Sequence, residues 1–346
     1  MVSPSAKQTQ PKIFLTGGTG VVGQALLARL DPSSVTCLVR QTTPQTAAAN
    51  NVVGNICLPR FGLDHADFKQ LAGEVDYIIH AAAITDFGSK DELLFKTNVD
   101  SLQNIFEFAS VSRAPLYHIS TAFARPCSGP EQQAGEPLYA VSKRRGECLV
   151  RNSGLPHVII RPSIVIGDSK SGVISRFQGF HNIIGTFLNG SLPMMPASPE
   201  AYIDFIPQDT VADTIIALIR EGTSEGEYWI TSGDQSLTIT RLGAVVKEFS
   251  RRLGRSMELP RFMSRDTVDR LIRPVFLSAL SPAIRKRFER LLDLSSYLCI
   301  DTPFTTSMPE LRRSLRLLPV PDLEQALVNG LEYWARTTGY LRRIQT

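Results

Sequence analysis

Thr16-Gly17-Gly18-Thr19-Gly20-Val21-Val22-Gly23 follows the apolar run Ile13-Phe14-Leu15 and opens a helical pattern, and this order of strand, glycine turn and helix decides the fold. Glycines at 17, 20 and 23 permit a tight turn, close approach of backbone N–H groups to a pyrophosphate, and close packing of helix on sheet. A glycine-rich turn alone says little. After the first strand of a βαβ unit, where the mechanism needs it, it predicts a dinucleotide site lined by Gly17, Thr19, Gly20, Val21, Val22 and Gly23.

Outward from that stretch, short apolar runs alternate with helical patterns. Candidate strands are 12–16, 35–40, 52–56, 76–80, 116–120 and 157–161; candidate helices are 21–30, 64–71, 90–111 and 139–152, the last ended by Gly154. The alternation predicts an α/β fold, a Rossmann-type doubly wound parallel sheet with a smaller, mainly helical C-terminal substrate-binding region. Residues 1–11 read as a disordered polar tail. Residues 12–165 read as the nucleotide-binding domain, with further sheet elements within 200–235, among them 202–206 and 227–231. Residues 166–346 read as the substrate-binding region, with a helix over 174–188 and helical character from about 240. Seven prolines from Pro260 to Pro321 divide that helical part into short pieces.

Of the 346 residues, 43% are hydrophobic and 20% charged, which excludes a mainly disordered chain. No run approaches the ~18 apolar residues of a membrane span, and the N-terminus lacks the apolar stretch of a signal peptide, so a cytoplasmic location is expected. The five cysteines are widely spaced and fit neither a disulfide framework nor a Cys-x-x-Cys metal site; no metal is expected. The net charge of +4 is uneven. Between Arg251 and Arg290 eleven Lys or Arg face four acids, a local +7 that leaves −3 for the rest. That segment faces phosphates, an acidic partner or a membrane surface, or is a solvated helical face; nucleic acid is not expected.

The end of the second strand separates the two nicotinamide dinucleotides, because a carboxylate there binds the ribose 2′-hydroxyl and repels a 2′-phosphate. This chain has Leu38-Val39-Arg40-Gln41, with no acid. Arg40 pairs with a phosphate, which favours NADPH, unless it is a solvated charge. Asn55, beside Ile56, is placed either to bond the adenine or to make a turn. Ala81, Ala82 and Ala83 are small enough to let the cofactor lie against the backbone, and His80 reads as packing inside.

Tyr139 and Lys143 form Tyr-x-x-x-Lys on one helix face. A lysine ammonium favours the phenolate and is expected to lower the tyrosine pKa for proton exchange near neutral pH. About 0.2 such pairs arise by chance in this composition, so position must carry the argument. Ser120 and Thr121 end the fifth strand at the sheet edge where open α/β sheets bind ligands, and either hydroxyl completes a triad.

Together with Arg161-Pro162-Ser163 and Gly167-Asp168-Ser169, these motifs resemble the extended short-chain dehydrogenase/reductase superfamily. Cys37-Leu38-Val39-Arg40, Pro59-Arg60-Phe61-Gly62-Leu63 and Asp204-Phe205-Ile206-Pro207-Gln208-Asp209 are similar to the branch of thioester reductase domains and fatty acyl-CoA reductases. The resemblance covers about 12–221. It implies Thr121, Tyr139 and Lys143 as the catalytic group, with Tyr139 and Lys143 also touching cofactor, Arg40 reading NADPH, and 161–166, including Pro162, Ser163 and Ile164, lining the nicotinamide. Two departures stand out: only 41–51 separate the arginine from the third strand, and Asn55 stands where an aspartate is common.

The activity implied is NADPH-dependent reduction of a carrier-protein- or CoA-bound acyl thioester to aldehyde, and further to alcohol, the carrier acting in trans. The alternatives are a dehydrogenase, ketoreductase or epimerase acting on a secondary alcohol or ketone, and a non-catalytic nucleotide binder. The oligomeric state is not legible. The stretches 266–280 and 282–298 read as a lid, apolar inside at Leu271, Ile272, Val275, Phe276, Ile284, Phe288 and Leu291 and cationic outside at Arg270, Arg273, Arg285, Lys286, Arg287 and Arg290. Its cations would meet a phosphopantetheine phosphate or an acidic carrier, or would be plain surface.

Overall fold

A computed structural model describes residues 10–41, 50–85, 91–124, 136–189, 194–277 and 281–340. Its main sheet has seven strands: β1 (Ile13–Thr16), β2 (Val35–Val39), β3 (Asn50–Val53), β4 (Tyr77–His80), β5 (Leu116–Ile119), β6 (His157–Pro162) and β11 (Gly226–Ile230). They lie in the order β11-β6-β5-β4-β1-β2-β3, and every pairing is parallel. The order reverses at β1, which places a ligand crevice beyond the carboxyl ends of β1 and β4.

Both faces of this sheet are covered, so its strands are apolar without alternation. On β1, Ile13 and Leu15 join one core and Phe14 the other. The first core packs under α1 (Val21–Leu27) and α7 (Gln208–Arg220). The second gathers Phe14, Phe61, Phe68 and Phe108 under α2 (His65–Gly73) and α4 (Leu102–Ser112).

The helix expected over 90–111 is broken. Lys90 lies outside the described residues, α3 is Asp91–Phe95, and a π turn over Lys96–Asp100 leads into α4. The wider winding turns Asn98 inward, where its amide bonds both backbone groups of Ile84 and the Ser142 hydroxyl.

A third core holds the C-terminal region: α6 (Gly179–Leu188), α8 (Ile239–Arg252), α10 (Pro282–Leu298) and α12 (Leu323–Thr337). α6 starts five residues later than the sequence pattern suggests. The expected strand at 202–206 is two short ones, β9 (Tyr202–Ile203) and β10 (Phe205–Pro207), split at Asp204. That buried carboxylate accepts the N–H groups of Ser232 and Gly233, and this pulls the chain out of one ladder into another. β10 pairs with β7 (Ile164–Ile166), while β9 pairs with β12 (Leu237–Thr238).

The lid differs from its expectation. Leu271 and Val275 are 59% and 71% exposed, and the buried positions are Val268, Leu277 and Leu292, with Ile272 and Phe288 against them. The segment Val268–Phe276 winds as a π-helix containing Pro274, and the five-residue step moves the apolar register away from Leu271 and Val275. The side chains of Phe276, Ile284, Arg287, Arg290 and Leu291, and residues 278–280, lie outside the described residues. Several expected outer cations are spent locally: Arg270 on Asp266, Arg273 on Asp269 and Asp293, and Arg285 on the Leu277 carbonyl.

Candidate active site

The glycine turn sits against the end of β4. A Cβ at Gly17, whose φ is +78°, would come within 2.5 Å of the Ala81–Ala82 backbone, and one at Gly23 within 2.2 Å of the Gly17 carbonyl oxygen. Only glycine fits either position. Gly20 N–H donates to the Gly17 carbonyl at 2.9 Å, and Gly20 caps α1 with no side chain competing for the helix's first N–H groups. The α1 first turn carries no acid. An open N-terminus backed by a cradle that no side chain can enter fits the pyrophosphate of a dinucleotide.

Around that cradle, Thr16 Oγ1 lies 2.8 Å from His80 Nδ1 and accepts the Ala82 N–H at 3.3 Å, which fixes the Ala81–Ala83 path. His80 is therefore a packed scaffold residue, stacked on His118 with centroids 5.7 Å apart. Arg40 is exposed at the end of β2. Asn55 spends its side-chain oxygen on the Cys57 N–H at 3.0 Å, the turn role of the two expected for it. Asn104 holds the adjacent Ile56 through its carbonyl, at 2.8 Å.

At the other end of the crevice, α5 (Leu138–Arg151) presents Tyr139 and Lys143 toward the end of β5. Lys143 is buried and its Nζ donates to the Ile119 carbonyl at 2.6 Å. Burial pushes its pKa down to about 8, against the pull of the Glu147 carboxylate. Tyr139 is pushed up to about 12 by burial, while its hydrogen bond with Thr121 acts the other way. The expected lowering of the phenol by Lys143 is thus not what the geometry gives: the ammonium is turned to a backbone carbonyl, and burial dominates.

The two candidate hydroxyls separate. Ser120 Oγ donates to Glu147 Oε1 at 2.5 Å, beneath the site, whereas Thr121 meets Tyr139 and lies 3.5 Å from the Pro162 carbonyl. Pro162, Ser163 and Ile164 follow at the β6–β7 junction, where Ser163 N–H and Ile164 N–H donate to the Ile230 and Asp204 carbonyls. Two contributors were not read from the sequence. Asn98 braces Ser142, beside Lys143, and carries no local sequence signal. Phe123, two residues past Thr121, packs on Tyr297 and Phe304 with ring centroids 4.8 and 5.0 Å apart, so the C-terminal region sets aromatic rings beside the end of β5.

The family profile described as Male sterility protein, an NAD-binding family, matches residues 48–215. The chain is 28% identical over 266 residues to Fusarin C synthetase of Gibberella moniliformis, covering 69% of this chain and 7% of that protein. It is also 28% identical over 254 residues to the isonitrile lipopeptide synthase of Streptomyces coeruleorubidus, covering 62% of this chain and 17% of that protein. The chain thus spans a small part of these relatives. Among solved structures, the terminal R domain from the myxalamid PKS-NRPS biosynthetic pathway superposes with a TM-score of 0.71 at 22% identity, over 97% of this chain and 93% of that one. The thiolation-reductase di-domain from an archaeal non-ribosomal peptide synthetase gives 0.69 at 19% identity, over 96% and 76%. The resemblance drawn from the motifs is borne out, as is the Rossmann-type sheet. Among the described residues, no helix is long and apolar enough to cross a membrane.

Proposed function

We propose that this chain is an oxidoreductase of the extended short-chain dehydrogenase/reductase kind and uses NADPH to reduce an acyl thioester carried by a carrier protein or CoA, releasing an aldehyde and a thiol. The observation that carries the reading is Tyr139 hydrogen-bonded to Thr121 at the carboxyl edge of the sheet, with burial favouring the protonated phenol. Support for a thioester comes from relatives among which several are named hybrid PKS-NRPS synthetases, and from a neighbour whose name joins a reductase to a thiolation domain. The aromatic wall of Phe123, Tyr297 and Phe304 suits an acyl chain.

When bound, NADPH supplies the hydride to the carbonyl carbon. Thr121 and Tyr139 hydrogen-bond the oxygen as negative charge develops on it, and Tyr139 hands over its proton. Collapse of the resulting hemithioacetal breaks the carbon–sulfur bond. Lys143 holds the Ile119 carbonyl and keeps the β5 end in place. Arg40 would hold the 2′-phosphate of NADPH, and 162–164 would line its nicotinamide. The test is NADPH oxidation with an acyl-CoA and an acyl-carrier thioester against a panel of ketones and secondary alcohols. Turnover confined to the ketones replaces the thioester reading with that of a ketoreductase, and further oxidation of NADPH after aldehyde release assigns the alcohol as product.

A further inference from the structure

Under the catalytic strand end lies a buried ionic cluster that the proposed chemistry does not use. Glu147, one turn beyond Lys143 on α5, is 2% exposed. Its carboxylate accepts Ser120 Oγ at 2.5 Å, both Arg161 Nε and Nη2 at 2.8 and 2.7 Å, and Arg151 Nη2 at 2.9 Å. Arg161 in turn reaches Glu227 at 2.7 Å and lies over the Trp229 ring, 4.8 Å from its centroid. A carboxylate with this many donors is held in one geometry, and burying it is tolerable only because they are all present.

We propose that Glu147 is a positioning residue for Thr121, Tyr139 and Lys143: it ties the end of β5 to α5 through Ser120, and so sets the Ile119 carbonyl that receives Lys143 and the hydroxyl of Thr121. Ser120 is the residue between those two groups, so one hydrogen bond fixes both. The same carboxylate supplies charge. The titratable groups that interact with Lys143 are His80 from β4, His118 from β5 and Glu147 from its own helix, with Tyr139 one turn before it on α5 and Arg161 from β6 bonded to Glu147. Burial pushes His80 down to about 3 and His118 well below the ordinary value, so both are neutral across the neutral and alkaline range. Arg161 stays cationic. Glu147 is thus the anion that keeps Lys143 an ammonium despite its burial.

The proposal rests on the triad assignment, and its main test needs no substrate. The Lys143 side chain is followed by NMR of lysine-labelled protein, its signal identified with Lys143→Arg, and titrated in the parent and in Glu147→Gln and Glu147→Asp. Glu147→Gln should titrate lower by about one pH unit, and Glu147→Asp should stay near the parent. A folded Glu147→Gln whose lysine titrates as in the parent overturns the electrostatic role. Should Glu147→Gln fail to fold, Ser120→Ala tests the tie itself, since it deletes one buried hydroxyl. With whichever substrate the panel turns over, it should lose about tenfold in kcat with KM little changed. A kcat within twofold of the parent overturns the tie. If the lysine shifts but no thioester is reduced, the thioester reading fails and the role of Glu147 stands.

Discussion

Replacing Gly23 with alanine tests the cofactor cradle at its tightest point. The new Cβ would stand 2.2 Å from the Gly17 carbonyl oxygen, 2.8 Å from Gly18 Cα and 2.9 Å from the Gly17 carbonyl carbon, all backbone, where real Cβ atoms do not approach within 3.0 Å. No side chain can swing away. Relief requires α1 to lift from the turn by about 0.8 Å, which strains the 2.9 Å bond from Gly20 N–H to the Gly17 carbonyl. Overpacking of this kind costs about 1–3 kcal/mol. Displacing the N–H groups that would face a bound pyrophosphate should weaken NADPH binding by at least about tenfold, the loss of roughly one charge-assisted hydrogen bond. The control is Gly73→Ala at the end of α2, where a Cβ meets nothing within 4 Å and should stabilise by about 0.5–1 kcal/mol. Thermal melts with and without NADPH, and fluorescence titration of the cofactor, read both effects. NADPH at a hundred times its Kd should stabilise the parent by about 2.7 kcal/mol, and the same concentration much less in Gly23→Ala. A Gly23→Ala protein that melts and binds NADPH like the parent would refute the cradle.

Arg40→Asp should narrow or invert a preference for NADPH over NADH in the same titration; equal affinities in the parent, unchanged by the substitution, remove Arg40 from the site. Tyr139→Phe should lower turnover by on the order of 10²-fold while NADPH affinity stays close to normal, and full activity would mean that the proton donor is elsewhere. Glu227, pulled down to about 2 by Arg151 and Arg161, adds stability that is present above its ordinary 4.5 and is lost as pH falls from there toward 2. Melting temperatures between those limits should therefore fall more steeply in the parent than in Glu227→Gln, and parallel curves would contradict the pairing.

The sheet was legible because a strand buried on both faces writes itself as a short apolar run between turns, as Ile13-Phe14-Leu15 and Val158-Ile159-Ile160 do. The glycine turn was legible because its spacing has one mechanical use at that position. What was not legible depends on partners far along the chain. Asn98 is one polar residue in a helical pattern until the π turn brings it to Ser142, forty-four residues on. Glu147 carries no sequence signal, and Arg161, read as part of a motif, gives none of its pairing with Glu147 inside the fold. Asp204 interrupts a strand only because Ser232 and Gly233 arrive beside it. In the lid, a composition with apolar and cationic residues in the right ratio gave no warning that winding around Pro274 would leave Leu271 and Val275 outside.

The burial of Tyr139 bears on the proton that the site offers a carbonyl oxygen. A phenolate ready near neutral pH, as the Tyr-x-x-x-Lys spacing alone leads one to expect, would serve an oxidation, in which the tyrosine must take a proton from an alcohol. Burial instead holds the phenol protonated, up to about 12, and Lys143 gives its hydrogen bond to Ile119. A donor is what a carbonyl oxygen requires when hydride reaches its carbon. The two partners also have opposed leanings, since burial disfavours the ammonium as well as the phenolate and Glu147 opposes that effect at the lysine. The positive charge at Lys143 is thus maintained by one buried carboxylate while the proton at Tyr139 is maintained by burial itself. Removing the carboxylate should move the lysine and leave the phenol protonated, so loss of turnover in Glu147→Gln should set in from the alkaline side.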